Sequence, residues 1–171
     1  MPTPRQRALA SWCRWCVHSR INRAQWGQTV RQQSSGRFEV ALPASAAINL
    51  FTPEGERSWV PGWDPTYAAG DASEITGTVF TTTVSGVDTI WTIIQIDRTA
   101  GAAVYGRVTP GHHAGIVRVW CVDATAGRSA VKVSYDMSLL GSDPSLLDAY
   151  SEPAFGEMLA EWSVAITASM S

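Results

Sequence analysis

The chain has 171 residues, of which 45% are hydrophobic and 16% are charged, a composition typical of one soluble globular domain with an ordinary core. No apolar run approaches 18 residues, so the sequence predicts no integral membrane segment, and we expect a cytoplasmic location. The formal net charge of -2 is unevenly spread, because the residues after position 35 carry seven basic and 15 acidic side chains, or about -8. Such a surface repels phosphates and excludes nucleic acid as a partner.

Residues 1–35 form a basic segment with no acidic residue, which we expect to lie outside the folded domain as an appendage. Cys13, Cys16 and His18 resemble half of a zinc site. A zinc site usually has four ligands, however, and the only other cysteine of the chain lies far away in an apolar run. The sequence therefore predicts no metal and no cofactor. A basic amphipathic helix over this segment and a translation start at Val30 stay open as alternatives.

The folded domain is expected to span residues 37–171 and to open with a strand. Residues 37–42, RFEVAL, alternate apolar and polar side chains as a half-buried strand does. A short helix is predicted in PASAAINLF, where Pro43 suits the first helical turn and Pro53 ends the helix. A second short helix is predicted in EGERSW, before a turn that contains proline and glycine.

Two tryptophans and a group of charged residues share this helical segment. Trp59 and Trp63 are expected to be largely buried anchors, because helices this short are unstable alone. The charged residues are typical either of a carbohydrate or acid–base site or of surface ion pairs on a cap of short helices, and the second interpretation explains the stiff turns better. These residues are Glu54, Glu56, Arg57 and Asp64.

A meander of antiparallel strands is predicted in the middle of the chain. Runs rich in β-branched and aromatic residues alternate with short glycine-containing turns of the length expected for hairpins. Together with the first strand they make seven. The further strands are expected at 63–67, 76–83, 88–97, 102–109, 114–124 and 129–139.

The chain is expected to end in a long amphipathic helix. A short helical segment is predicted from Asp143, and the long helix from Ser151. Its apolar stripe must pack on a large partner, and the sheet is the only one that the sequence offers. The stripe contains Phe155, Met158, Leu159, Trp162, Ile166 and Met170.

This order of elements describes an α+β helix-grip fold, in which a seven-stranded antiparallel curved sheet, with two short helices after its first strand, grips a long C-terminal helix. The segment ALPASAAINLFTPEGERSWVPGWDPTY resembles the start of bacterial SRPBCC proteins of the START-like superfamily, often described as polyketide cyclase-like. TIWTI and FGEMLAEW are similar to the same group, and the resemblance covers residues 37–171. It implies an apolar cavity between the sheet and the last helix.

Strand alternation predicts which side chains face that cavity. In the last strand Tyr135 and its apolar neighbours share one face, and Lys132 and Asp136 lie on the other. An inward Gln95 or Arg107 would need a hydrogen-bonding partner, either a ligand or an acid. The expected ligand-binding residues are Trp91, Ile93, Gln95, Tyr105, Arg107, Val117, Val119, Val133, Tyr135, Met137, Met158 and Trp162.

The mouth of the cavity is expected where alternate hairpins of the meander lie at the same end of the sheet. These are the turn at Ser85 and Gly86, the turn that contains His112 and His113, and the segment 140–147 before the last helix. The two histidines are the only ones in the expected domain, so an acid–base role at neutral pH would begin with them. Solvent-exposed, inert loop histidines are the alternative, and the more frequent one.

The motifs of common catalytic sites are missing from the sequence: it has no glycine-rich phosphate loop and no Gly-x-Ser-x-Gly elbow. The first hypothesis is therefore binding or transport of a small hydrophobic ligand, lipid-like or polyketide-like. One alternative is a cyclase, dehydratase or hydrolase that acts on such a ligand. The other is a protein-interaction module of the co-chaperone type, which the outward Arg118, Lys132 and Asp136 disfavour. The superfamily includes all of these functions, so the resemblance does not choose among them.

Overall fold

The computed structural model describes residues 30–171, and the predictions about Cys13, Cys16, His18 and the rest of residues 1–29 lie outside the described residues. Within residues 30–171, seven strands form one antiparallel sheet in the order β1-β7-β6-β5-β4-β3-β2. The predicted helix-grip fold is confirmed. The strands are β1 Arg31–Val40, β2 Thr66–Tyr67, β3 Val79–Val84, β4 Val87–Asp97, β5 Ala102–Thr109, β6 His113–Thr125 and β7 Arg128–Leu139.

The helices lie on the inner face of this sheet. Helix α1 (Ala44–Ala47) continues into a 3-10 turn at Ile48–Phe51, and a second 3-10 helix covers Gly55–Ser58. A third 3-10 helix, Pro144–Tyr150, precedes the long helix α2 (Glu152–Ser169). No helix within the described part of the chain is long and apolar enough to cross a membrane.

Helix α2 packs along β1 and closes one side of the core. Phe155, Leu159 and Ile166 are buried there, while Met170 lies beyond the end of the helix and is exposed. Gly36 of β1 permits the close approach, since a Cβ atom at this position would lie 2.5 Å from Leu159 Cδ1. The apolar stripe of the helix thus has the sheet as its partner, as its spacing predicts.

Strand β1 begins six residues earlier than predicted, at Arg31 instead of Arg37. Residues 31–36 pair with β7 without a break in register, and Arg31 forms an ion pair with Asp136. The hydroxyl of Ser34 also donates a hydrogen bond to the carbonyl of Tyr150. The sequence RQQSSG gives no alternating pattern because it is almost wholly polar, and residues 31–35 of the expected appendage therefore belong to β1.

A β-bulge in β4 places Gln95 on the outer face of the sheet, although strand alternation predicts the inner face. The register with β5 shifts between Ile93, which pairs with Tyr105, and Gln95, which pairs with Val104. Gln95 is exposed to solvent, and Ile96 packs against the core instead. The extra residue of the bulge reverses the alternation, so the expectation that Gln95 faces the cavity is wrong.

Several chain turns meet at one end of the sheet. The β3–β4 hairpin turns through Ser85 and Gly86, both with positive φ (52° and 77°), as a two-residue turn of this hand requires. The end of β7 lies beside the β5–β6 turn, where the Leu140 N–H donates to the carbonyl of His112 at 2.8 Å. This end of the sheet is the one where the sequence places the mouth.

Candidate functional site

A cavity of about 480 Å³ lies between the inner face of the sheet, the short helices and α2. Its walls are mostly apolar and aromatic, and its size suits a small organic molecule. Val84 and Val87, which flank the β3–β4 turn, line it and are 60% and 37% exposed. The cavity therefore reaches the surface at that hairpin.

Most residues expected to face a ligand do line this cavity. They come from four strands and from the helix α2, and His112 and His113 lie with them in the wall. This set comprises Trp91, Tyr105, Arg107, Val117, Val119, Tyr135, Met158, Trp162, His112 and His113. Segment 140–147 lies at the same end of the sheet but does not contribute to the lining.

Three further residues point inward without reaching the cavity. Ile93, Val133 and Met137 are fully buried in the core and are absent from the lining. Ile93 pairs with Tyr105, whose hydroxyl donates a hydrogen bond to the carbonyl of Phe51 in the 3-10 turn Ile48–Phe51. Val133 and Met137 lie in β7, close to the side of the sheet that α2 and the 3-10 helix before it close. These three residues pack in the core and do not line the cavity.

The short helices supply cavity residues that strand alternation could not reveal. Alternation assigns a face to each strand residue, but it does not say how the helical segment lies across the sheet. The sequence signal for this contribution is only the density of bulky side chains in the segment. The residues added from it are Phe51, Pro53, Glu56, Val60 and Trp63.

Of the charged residues in this segment, Glu54, Arg57 and Asp64 form the expected surface network. Arg57 Nε lies 3.0 Å from Glu54 Oε2, and Arg57 Nη1 lies 2.5 Å from Asp64 Oδ1. Tyr67 donates a hydrogen bond of 2.6 Å to the Glu54 carboxylate. Glu56 takes no part in this network and lines the cavity, so its interpretation as a surface ion pair is wrong.

The carboxyl group of Glu56 lies within the apolar cavity. Among residues 30–171 it has no hydrogen-bond partner and no basic group within 4.0 Å. Burial raises the pKa of Glu56 from 4.5 to about 8, and the positive charge of Arg107 opposes this shift only in part. Most Glu56 side chains are therefore protonated and neutral at pH 7.

Arg107 projects from β5 into a group of three aromatic rings. Its Cζ atom lies 5.0 Å from the ring centroid of Trp91, 5.7 Å from that of Tyr150 and 5.9 Å from that of Tyr135. Cation–π attraction stabilises a guanidinium in this position. Its Nε atom is nevertheless buried without a hydrogen-bond partner among the described residues.

His113 is buried, which differs from the exposed loop position considered for it. Its Nε2 atom lies 2.9 Å from the hydroxyl of Tyr150, and its Nδ1 atom has no partner within residues 30–171. Burial, followed by the charges of Arg107 and His112, lowers the pKa of His113 from 6.5 to about 4. The imidazole is therefore neutral at pH 7.

Several other polar groups of the wall form hydrogen bonds with one another or with the backbone. The hydroxyls of Thr89 and Thr109 lie 2.9 Å apart, and the Trp91 indole N–H donates to the hydroxyl of Thr82 at 3.0 Å. Tyr105 donates to the Phe51 carbonyl at 2.7 Å. In contrast, the Glu56 carboxyl group, Arg107 Nε and His113 Nδ1 have no hydrogen-bond partner within residues 30–171.

Two other chemistries have little support in the described part of the chain. Residues 30–171 contain no group of three or more His, Cys, Asp or Glu side chains able to hold a metal ion. Burial raises the pKa of the Cys121 thiol to about 12, so this group is not a nucleophile at neutral pH.

Solved structures of other proteins have a similar fold. No family model and no curated protein matches the sequence. Norcoclaurine synthase from Thalictrum flavum, in complex with dopamine and hydroxybenzaldehyde, is 15% identical over 81% of this chain and 88% of that chain, with a TM-score of 0.57. Ara h 8.0201 is 15% identical over 82% and 99% of the two chains, with a TM-score of 0.61. The chain has a Bet v1/SRPBCC-type fold.

A structure from Thermobifida fusca shares this Bet v1/SRPBCC-type fold at 16% identity, over 77% of this chain and 90% of that chain, with a TM-score of 0.57. At such identities the likeness concerns the fold alone. The resemblance to SRPBCC proteins is thus confirmed at the level of the fold, and the polyketide cyclase-like branch stays a prediction.

Proposed function

We propose that the protein binds or transports a small hydrophobic ligand in the cavity between the sheet and α2. The observation that carries this proposal is a cavity of about 480 Å³ with a largely apolar, aromatic wall and a few polar groups. Small-molecule sites have this size and composition. A fold of the same type holds small aromatic molecules in norcoclaurine synthase, whose structure contains dopamine and hydroxybenzaldehyde.

The energetics of packing support the same proposal. Side chains that line a cavity lose van der Waals contacts that a filled core would give them, so a void of this size lowers stability. Trp63, Trp91 and Trp162 all line the cavity, so three large rings lack part of the contacts that a filled core would give them. A ligand that fills the space restores those contacts.

Helix α2 offers a matched pair of substitutions to test this function. Met158 lines the cavity, whereas Val164 lies on the same helix and is 71% exposed. We expect Met158→Trp to narrow the cavity and weaken binding of the neutral fluorescent probe Nile red at least about tenfold, while Val164→Trp binds like wild type. Fluorescence titration measures both, and circular dichroism checks the fold. Wild-type affinity in a folded Met158→Trp variant would show that the probe binds elsewhere and overturn the proposal.

Catalysis on such a ligand, by a cyclase, dehydratase or hydrolase, is the second candidate function. The observation that favours it is a carboxyl group with a pKa of about 8 in the same cavity as a guanidinium. Perturbed acids of this kind are suited to proton transfer near neutral pH, and a guanidinium stabilises negative charge that develops on a substrate. Binding comes first in either case, because the reacting groups lie inside the cavity.

A few exposed apolar residues on the outer face of the sheet support the alternative of a protein-interaction module. Ile90 and Val108, which pair across β4 and β5, are 39% and 37% exposed, and Ile94 nearby is 43% exposed. The neighbouring strands carry the charged Arg118 and Lys132 on that face. We place this candidate behind the other two because exposed apolar residues in small numbers are normal on protein surfaces.

A further inference from the structure

We propose that the ligand is an amphipathic anion: an organic acid with an apolar body, whose carboxylate binds Arg107 and accepts a hydrogen bond from Glu56. This inference rests on the proposed function, since it names the chemical class of the molecule that the cavity binds. It is drawn from the charges and free donors in the cavity.

Arg107 is a half-buried cation without a carboxylate partner among the described residues. A guanidinium keeps its charge in proteins, and no carboxylate within residues 30–171 lies within 4.0 Å of it. The three aromatic rings, together with a side-chain hydrogen bond between Tyr135 and the guanidinium, offset part of the cost of burying this charge, but none of these groups supplies a negative charge. The buried Nε donor is still free, and a carboxylate is the group whose geometry best matches a guanidinium fork.

Glu56 lies in the same cavity as Arg107 but does not serve as its counter-ion. Its protonated form at neutral pH leaves the charge of Arg107 unbalanced within the cavity. The titratable groups whose charge acts on Glu56, or on which it acts, are Arg107 and Tyr105 from β5 and Tyr135 from β7. Burial raises the pKa of both tyrosines, so they are neutral, as is His113. The cavity therefore carries a net positive charge, which an anion neutralises and a cation does not.

The neutral carboxyl group also supplies a donor. A protonated carboxylic acid has one O–H that a ligand carboxylate accepts, and a negative charge beside Glu56 raises its pKa further. Ionisation of Glu56 as the pH rises through about 8 replaces this hydrogen bond by repulsion. Anion binding is therefore expected to weaken above that pH.

Dodecanoate and dodecanol form a matched pair of probes, with the same apolar chain and different head groups. We expect dodecanoate to displace Nile red from the wild-type protein at about pH 7 with at least about tenfold higher affinity than dodecanol, as charge-assisted hydrogen bonds allow. Arg107→Met should remove this preference. Arg118→Met, a control on the outer face of the neighbouring strand, should keep it.

The pH dependence tests the part assigned to Glu56. Wild-type affinity for dodecanoate should fall about tenfold between pH 7 and pH 9, because the carboxyl group with a pKa of about 8 ionises in that range. Glu56→Gln keeps a hydrogen-bond donor and cannot ionise, so its affinity should be constant over the same range. Affinity for dodecanol should not change with pH in either protein.

Each other result overturns a defined part of the inference. If dodecanol binds as tightly as dodecanoate while both displace the probe, the anion class is wrong and the proposed function stands. If the cavity binds neither molecule nor Nile red, the proposed function falls and this inference falls with it. If Arg107→Met does not fold, the wild-type preference for the acid and its loss above pH 8 decide the question.

Discussion

His113 couples the charge state of one buried ring to the stability of the fold. Its ordinary pKa of 6.5 applies in the unfolded chain, whereas burial and the charge of Arg107 lower the pKa to about 4 in the folded protein. Between these two values the unfolded chain binds a proton that the folded protein does not bind. The stability that His113 contributes is therefore complete above pH 6.5 and is lost as the pH falls towards 4.

We predict that His113→Gln reduces the acid sensitivity of the protein. The wild-type melting temperature should fall between pH 7 and pH 4.5 by at least about 3 °C more than that of the variant, the size expected for roughly 1 kcal/mol of linked stability. His112→Gln is the control, since His112 is only half-buried, and it should behave like wild type. Equal decreases in wild type and His113→Gln would show that the ring is not protonated on unfolding.

The position of Glu56 in the cavity could not be predicted from the cluster of charged residues in which it lies. Glu54, Glu56 and Arg57 lie close together in the sequence, and composition does not say which acid pairs with the arginine. The 3-10 geometry of Gly55–Ser58 decides it, because Arg57 follows Glu54 by three residues and meets it on one side, while Glu56 turns towards the sheet. Arg107 could be predicted from strand alternation alone, since β5 has no bulge.

The short helices between β1 and β2 act as one packed unit that holds Glu56 over the sheet. Gly55 is required for their contact, since a Cβ atom there would lie 1.7 Å from the carbonyl oxygen of Asn49. The Trp59 indole N–H donates to the Leu50 carbonyl at 2.7 Å. The same ring packs edge-on against Phe51 and Trp162, at centroid distances of 5.9 and 5.3 Å.

We predict that Trp59→Ala destabilises the protein by about 3–5 kcal/mol, as truncation of a buried large aromatic does. Trp59 is 6% exposed, as the sequence leads us to expect, whereas Trp63 is only half-buried and lines the cavity. Trp63→Ala should therefore cost less than Trp59→Ala. Urea denaturation of the two variants and wild type measures both losses. A loss below about 1 kcal/mol for Trp59→Ala would refute its anchoring role.

Strand faces were predictable wherever the pleat is regular. Tyr105, Val117 and Tyr135 face inward as their alternation predicts, because β5, β6 and β7 are regular around them. Alternation failed at Gln95, since a bulge adds one residue without any change in composition. It also failed at the start of β1, where a polar strand is stabilised by backbone pairing with β7 that no side-chain pattern reveals.

At the scale of the whole molecule, the cavity exists because two separate covers, helix α2 and the short helices, pack on different parts of the inner face of the sheet. Helix α2 lies along β1, and the short helices lie across part of the sheet that includes β5 and β6. The space between the two covers lies over the central strands and ends at the β3–β4 hairpin. The sequence predicts each cover and the inner face of the sheet. It does not predict the width of the gap, which depends on helix placement.

The edge of the sheet at β1 gives the last prediction. Removal of residues 1–35 deletes the first half of β1 and the pairing of residues 31–35 with β7. It also deletes the ion pair between Arg31 and Asp136 and the hydrogen bond from Ser34 to Tyr150. Tyr150 stacks on Tyr135 and bonds to His113, so the loss extends to the cavity wall. We expect the melting temperature to fall by at least about 5 °C, since roughly 2 kcal/mol corresponds to that decrease in a domain of this size.

The matched control is a chain that starts at Val30 and keeps the whole of β1. Because β1 pairs with β7 from Arg31 to Val40, this shorter chain contains every strand of the sheet in residues 30–171, and we expect it to melt within about 2 °C of the full-length protein. Differential scanning calorimetry of the three proteins compares them directly. Equal melting temperatures for the chains that start at residues 30 and 36 would show that the first half of β1 does not stabilise the domain. A large decrease already at residue 30 would show instead that residues 1–29 stabilise it.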